Sequence, residues 1–239
     1  MKALILAAGL GSRLNHETHH LPKALVNVNG KPILSYQIEA LIANRINELI
    51  VVLGKESEKI VEFFNTYYSD LKVQFIKNPD FDKTNSSYSF WLAKDYLIGG
   101  NYIHINCDII FSQRLLKRLL TNKNPNLIAV RTDLELTDEM ENVVLKGERI
   151  IKMRKKWAND SVGKAFGLAK FNFDSTKKIL NKINGYILKG DRNQHCYGMI
   201  RELVNEVDYH ALIANDDLLL EINSLKDLAY AKKMLISYS

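Results

Sequence analysis

The chain has 239 residues, of which 46% are hydrophobic and 25% charged, and its formal net charge is +6. These values fit a globular protein with a well-buried core, and no apolar run reaches the roughly 18 residues that a membrane span needs. Only two cysteines, Cys107 and Cys196, are present, which excludes a disulfide framework and fits a reduced, cytoplasmic protein.

The opening apolar stretch is too short for a signal peptide and runs into glycines and Arg13. The positive charge suits an anionic partner. Neither an aromatic RNA-binding pattern nor paired Cys/His ligands occur, so a small phosphorylated ligand is expected before a nucleic acid. No membrane partner is expected, and monomer and homodimer both stay open.

Lys2 to Leu6 reads as a strand. Pro32 suits the first turn of a helix whose Ile33, Leu34, Ile38, Leu41 and Ile42 repeat at helical spacing. Leu49 to Leu53 is a second buried strand, Ile60 to Tyr67 a helix, and Val73 to Ile76 a strand stopped by Asn78-Pro79. Ser87 to Leu97 reads as one helix ended by Gly99-Gly100. Tyr102 to Ile105 is a fourth strand, and Leu115 to Leu120 is helical. This alternation predicts an α/β fold, a Rossmann-like, mostly parallel sheet with helices on both faces.

The second half changes character. Leu127 to Arg131, Val143 to Leu145, Ile150 to Arg154 and Ala165 to Phe173 read as short strands, with a hairpin turn at Lys146-Gly147-Glu148. They predict a small antiparallel extension lining an acceptor pocket. Helices are expected at Ser175 to Ile183 and Tyr197 to Val207, a last strand at Leu218 to Ile222, and a final helix capped by Ser224. No repeat or linker interrupts the chain, so one domain over 1–239 is expected.

The loop after the first strand carries Gly9, Gly11, Ser12 and Arg13, followed by Pro22-Lys23. A Walker loop is absent, and the dinucleotide fingerprint fails because Leu14 stands where its third glycine belongs. What is left is a glycine loop backed by two cations. Glycines let backbone N–H groups approach a polyphosphate, and arginine adds a planar donor fork.

Leu6-Ala7-Ala8-Gly9-Leu10-Gly11-Ser12-Arg13-Leu14 with Pro22-Lys23 resembles the signature of the nucleoside-triphosphate transferases that activate sugar phosphates and related small phosphates. The resemblance covers nearly the whole chain. It implies a single Rossmann-like domain in which Arg13 and Lys23 neutralise a triphosphate and pyrophosphate leaves. Leu6, Ala7, Ala8, Gly9, Gly11 and Ser12 would then bind the nucleotide. His16, His19 and His20 are expected in a loop closing over the triphosphate.

Asn78-Pro79-Asp80-Phe81 and Thr84 to Phe90 resemble the CTP:phosphocholine cytidylyltransferases and their phosphonate relatives, as do Thr137 to Met140, Val143-Val144 and Ile150 to Met153. Those relatives usually carry Asn-Asn where this chain has Asn85-Ser86. The resemblance implies CTP, with Asn78, Asn85, Ser86, Ser87 and Asn106 in the nucleotide site. A helix cap is the structural alternative for Ser86 and Ser87. The family's magnesium-binding aspartate corresponds to Asp108, and Glu221 or Asn223 would complete the site; oxygen ligands suit Mg2+.

For the acceptor site the expectation is Lys155, Arg192, His195 and Tyr197. A cationic choline head would want aromatic faces or carboxylates. Tyr197 supplies the aromatic and Asp191 lies nearby, whereas Arg192 and His195 suit an acceptor bearing a carboxylate. The pattern is similar to the CTP:phosphoglutamine cytidylyltransferases of capsule biosynthesis. The implied reaction is transfer of CMP from CTP to L-glutamine phosphate or phosphocholine, for surface polysaccharide decoration. A sugar-1-phosphate nucleotidylyltransferase using UTP or dTTP and a catalytically silent regulatory subunit are the rivals; Arg13, Lys23 and Asp108 argue against the latter.

Overall fold

The structure is a computed structural model that describes residues 1–18 and 20–236. The chain opens with β1 (Lys2–Ala7), two short 3-10 helices over Ser12–Thr18 and Lys23–Leu25, and the small ribbon β2 (Asn27–Val28) and β3 (Lys31–Pro32). Then come α1 (Ile33–Ala43), β4 (Glu48–Leu53), α2 (Ser57–Tyr67), β5 (Lys72–Lys77), α3 (Ser86–Leu92) and α4 (Lys94–Leu97). The middle holds β6 (Tyr102–Asn106), β7 (Ile109–Phe111), α5 (Gln113–Thr121), β8 (Leu127–Arg131), β9 (Asn142–Lys146), β10 (Arg149–Arg154) and β11 (Gly163–Phe171). The chain closes with α6 (Phe173–Ile187), α7 (Cys196–Glu202), β12 (His210–Ile213), β13 (Leu219–Glu221) and α8 (Leu225–Ile236).

One nine-stranded sheet organises these elements in the order β5-β4-β1-β6-β11-β8-β12-β10-β9. The β5-β4-β1-β6 half is parallel, as the alternation of strands and helices predicts. Beyond it β11 runs antiparallel to both β6 and β8, and β12 is parallel to β8, so the sheet is mixed. The expected antiparallel extension is continuous with this sheet. β8 and β11 lie inside it, and only the β9–β10 hairpin extends its edge, folding back to touch β11.

Alternate residues of β1, with Ala8 just past it, feed two cores, as a strand buried on both faces requires. Ala3, Ile5 and Ala7 pack with Leu34, Ile38 and Leu41 of α1 and with Ile60 and Phe64 of α2. Leu4, Leu6 and Ala8 face Phe90, Ile179, Ile183 and Met199, on the other side. A third cluster joins Val26 and Val28 to Ile110, Leu220 and Ile222 under Leu228, Ala231 and Leu235 of α8.

Several expected elements shift. The helix expected over Ser87–Leu97 breaks at Ala93, whose N–H bonds to Phe90 O in a tighter turn. Phe173 begins α6 instead of ending a strand, because the Asn172 side chain accepts from Ser175 N and caps the helix there. The helix expected to reach Val207 ends at Glu202, where the Leu203 N–H is the capping bond to Ile200 O. The hairpin turn is where expected, with Gly147 at φ +58°.

Candidate active site

The parallel strands end on one edge of the sheet, and the residues with phosphate chemistry gather there. β1 leads into Ala8 and Gly9. Gly54, just past β4, lies against this loop: a Cβ on Gly54 would stand 2.4 Å from Ala8 O, so only glycine permits the approach. Gly11 takes φ +66°, and its carbonyl accepts the Leu14 N–H as the 3-10 turn carrying Arg13 begins. Pro22 precedes the turn that carries Lys23, and its carbonyl accepts the Leu25 N–H.

Lys23 is buried and reaches across to two other elements. Its Nζ donates to Asp108 Oδ2 at 2.7 Å and to Asn223 Oδ1 at 2.8 Å. Arg13 Nη2 donates to the same Asn223 oxygen at 3.1 Å. Arg13 and Lys23 from the opening segment, Asp108 from the turn after β6 and Asn223 from beyond β13 therefore form one constellation. Asp108 is held in place by its backbone: its carbonyl accepts the Ile222 N–H, and Cys107 N–H bonds to Leu6 O. Gln37 of α1, fully buried, donates to Asn106 O and Ile109 O and so grips the turn that carries Asp108 from both ends.

Asp108 Oδ1 is buried and has no hydrogen-bond partner, while Oδ2 faces Lys23. An orphaned carboxylate oxygen beside an amide oxygen is a fitting donor set for Mg2+, which takes hard oxygen ligands and shares the nucleotide phosphates. No cluster of three or more His, Cys, Asp or Glu side chains able to hold a metal occurs among the described residues, so a metal here would need the phosphates as further ligands. Glu221 turns elsewhere: Lys164 Nζ donates to its Oε2 at 2.5 Å. Of the two late-strand candidates, Asn223 is the one that joins Asp108.

A second wall of the cleft comes from α3 and the segment before α7. Asn85 is the N-cap of α3, its side chain accepting the Ser86 N–H, so the cap falls one residue before Ser86 and Ser87. Ser86 Oγ accepts from Cys196 N at 2.9 Å, and Ser87 N donates to Gln194 O at 3.1 Å. These bonds clamp the two helix starts together and bring Asn85 Nδ2 to 3.4 Å from His195 Nε2. Asn78 has a scaffold role: its side chain donates to Thr84 and Ser89 and accepts from Asp80 N.

The acceptor candidates divide. His195 is exposed at the surface of the cleft and feels both Lys155 and Arg201; desolvation first, then these cations, lower its pKa. Tyr197 donates its hydroxyl to Phe166 O, and burial raises its pKa well above normal. Arg192 faces outward, 3.6 Å from Asp80 and stacked over the Tyr88 ring. Asp191 is occupied by Gln194 and Asn193. The Arg201–Glu141 pair, at 3.0 and 3.1 Å, enters this region without any motif to announce it. Burial raises the Glu141 pKa despite the arginine. Of the loop histidines, His19 and the His16 side chain lie outside the described residues.

No helix of the described residues is long and apolar enough to cross a membrane. Two similar proteins cover nearly the whole chain. One is the CTP:phosphoglutamine cytidylyltransferase of Campylobacter jejuni, 28% identical over 95% of this chain and 98% of its own. The other is the choline-phosphate cytidylyltransferase of Streptococcus pneumoniae, 28% identical over 98% of each. A solved structure of the Streptococcus pneumoniae CTP:phosphocholine cytidylyltransferase superposes with a TM-score of 0.79 at 26% identity, covering 98% of both chains. An inositol-1-phosphate CTP transferase from T. maritima shares the fold, with a TM-score of 0.81 at 19% identity over 97% of this chain and 96% of its own. The model of the MobA-like NTP transferase domain matches residues 3–236, and the chain belongs to that family of nucleotidyltransferases.

Proposed function

We propose that the protein is a cytidylyltransferase that moves CMP from CTP to a small phosphorylated acceptor and releases pyrophosphate. The observation that carries this reading is the meeting of Arg13, Lys23, Asp108 and Asn223 beside a glycine loop that Gly54 lets settle against the sheet. The full-length similarity to enzymes named for CTP and a phosphorylated small acceptor supports the choice of nucleotide.

The terminal phosphoryl group of the acceptor, an ester on choline or an N-phosphoryl group on glutamine, carries ionised oxygens near neutral pH, the second pKa of a phosphate monoester being about 6. Its oxygen attacks the α-phosphorus in line, forming a new O–P bond. The bond from that phosphorus to the bridging oxygen breaks, and pyrophosphate leaves with the electron pair. No general base is needed, so catalysis rests on positioning and charge neutralisation. Lys23 and Arg13 share Asn223 in the resting site and turn their donors to the triphosphate. The glycine loop offers backbone N–H groups to the nucleotide, and the α3 cap and His195 border the space left for base and acceptor. Asp108 and Asn223 would hold Mg2+, which, when bound, supplies positive charge to the phosphate oxygens.

The acceptor is L-glutamine phosphate ahead of phosphocholine, in a cytoplasmic step that supplies surface polysaccharide decoration. Lys155 and Arg201 make the surroundings of His195 cationic, and the Glu141 carboxylate is already engaged by Arg201. That balance favours a head group carrying a carboxylate over a bare cation. Incubation with CTP, Mg2+ and each acceptor in turn, followed by mass spectrometry of the CMP conjugate, tests the choice. The glutamine conjugate should dominate; exclusive formation of CDP-choline would reverse it.

A further inference from the structure

His104 sits on β6 with none of its surface exposed, inside an aromatic cluster. Its ring lies 5.8 to 6.5 Å from those of Phe90, Tyr102, Phe171 and Tyr197. Nδ1 is buried and has no hydrogen-bond partner, and burial lowers the imidazole pKa to about 4, so the ring is neutral at physiological pH. An apolar ring would fill this place without stranding a polar atom, and a stranded buried nitrogen costs stability. The histidine therefore does something that packing does not require.

Its one polar contact is with the residue two further along the same face. Nε2 lies 3.1 Å from Asn106 Oδ1, and the neutral ring donates that hydrogen bond. Asn106 is half-buried at the C-terminal end of β6, level with Leu6 of β1 and two residues before Asp108. Its carboxamide lies across Gly167 of β11: a Cβ there would stand 2.3 Å from both Cγ and Nδ2. With Oδ1 committed to His104, the amide cannot flip without losing the bond. Nδ2 has no partner among the described residues.

We propose that His104 is a positioning residue for nucleotidyl transfer: through Nε2–H it fixes the Asn106 carboxamide across Gly167, so that the two Nδ2 donors meet an oxygen of the bound nucleotide. The proposal rests on the cytidylyltransferase reading. Asn106 touches substrate, and His104 acts only through Asn106.

Two substitutions at one position separate this role from packing. His104→Phe fits the aromatic cluster and removes the stranded nitrogen, so its Tm should equal or exceed that of the parent. It loses the donor, and kcat/KM for CTP should fall about tenfold, the loss expected for one positioned hydrogen bond, with KM for the acceptor unchanged. His104→Gln keeps a donor at similar reach but packs worse; it should melt lower and yet turn over faster than His104→Phe. Asn106→Ala should match the rate of His104→Phe, and the double variant should be no slower than either single one. If rate follows Tm across the series, or if the two singles multiply in the double, His104 is structural and the proposal fails. Should the parent protein release no pyrophosphate from CTP with any acceptor, the reading beneath it fails as well; a parent that turns over while His104→Phe keeps its full rate sinks the positioning role alone.

Discussion

Lys23 Nζ lies 2.7 Å from Asp108 Oδ2 and holds the place where a cation is wanted beside that carboxylate. The pair is mostly buried, with side-chain exposures of 10% and 18%. The ammonium already compensates the charge of Asp108, so a divalent ion gains little there until a triphosphate draws Lys23 and Arg13 away. Mn2+ should therefore bind weakly to the free protein and at least about tenfold more tightly once CTP is present, a coupling of about 1.4 kcal/mol. A Mn2+ titration followed by electron paramagnetic resonance, with and without CTP, checks this; equal affinities would remove the coupling. Lys23→Gln should lower kcat by roughly a hundredfold or more, the usual scale for losing a charge-stabilising donor.

Gly54 governs the depth at which the glycine loop after β1 sits. Gly54→Ala places a methyl 2.4 Å from Ala8 O, against backbone that cannot rotate away. The loop must lift, at about 1–3 kcal/mol, the typical cost of overpacking. A lower Tm and a higher KM for CTP should appear together, with the KM of the acceptor less affected. Steady-state kinetics with each substrate varied in turn reads this directly.

The same histidine that fixes Asn106 imposes a pH dependence on stability. The His104 pKa falls from its usual 6.5 to about 4 because burial disfavours the charged ring. The unfolded chain therefore binds the proton first. Native stability is unaffected by this group above pH 6.5 and is lost progressively as pH falls from 6.5 towards 4, by about 3 kcal/mol in all. Denaturant unfolding between pH 8 and 4.5 should show the loss in the parent protein and a flatter profile in His104→Phe. Parallel profiles would contradict it.

Much of the candidate site is visible in the sequence because residues suited to phosphate binding leave local marks. Gly9, Gly11, Arg13 and Lys23 lie within one short stretch, and Asp108 stands two residues past the end of a buried strand. The parallel half of the sheet is legible too, since β1 and β4 are nearly continuous apolar runs and β5, at the sheet edge, alternates. The order of the other half is not: β11 is inserted antiparallel between β6 and β8 by pairing across long separations. β12, only four residues long, gives no alternation to read. The supporting residues are also silent in sequence. Gly54 and Gly167 matter for what a Cβ would strike, Gln37 for carbonyls about seventy positions away, and Arg201 for its pairing with Glu141. Likewise, nothing in the sequence shows that Asn78 ties its own loop to α3, through Asp80, Thr84 and Ser89.

The central claim is CTP-dependent transfer to a small phosphorylated acceptor, and pyrophosphate release tests it most directly. The protein, with Mg2+, would be given CTP, UTP, dTTP, GTP and ATP, each paired with L-glutamine phosphate, phosphocholine and several sugar 1-phosphates. Release with CTP and one of the non-sugar acceptors, and with no other nucleotide, is the predicted result. Release confined to UTP or dTTP with a sugar 1-phosphate would contradict it.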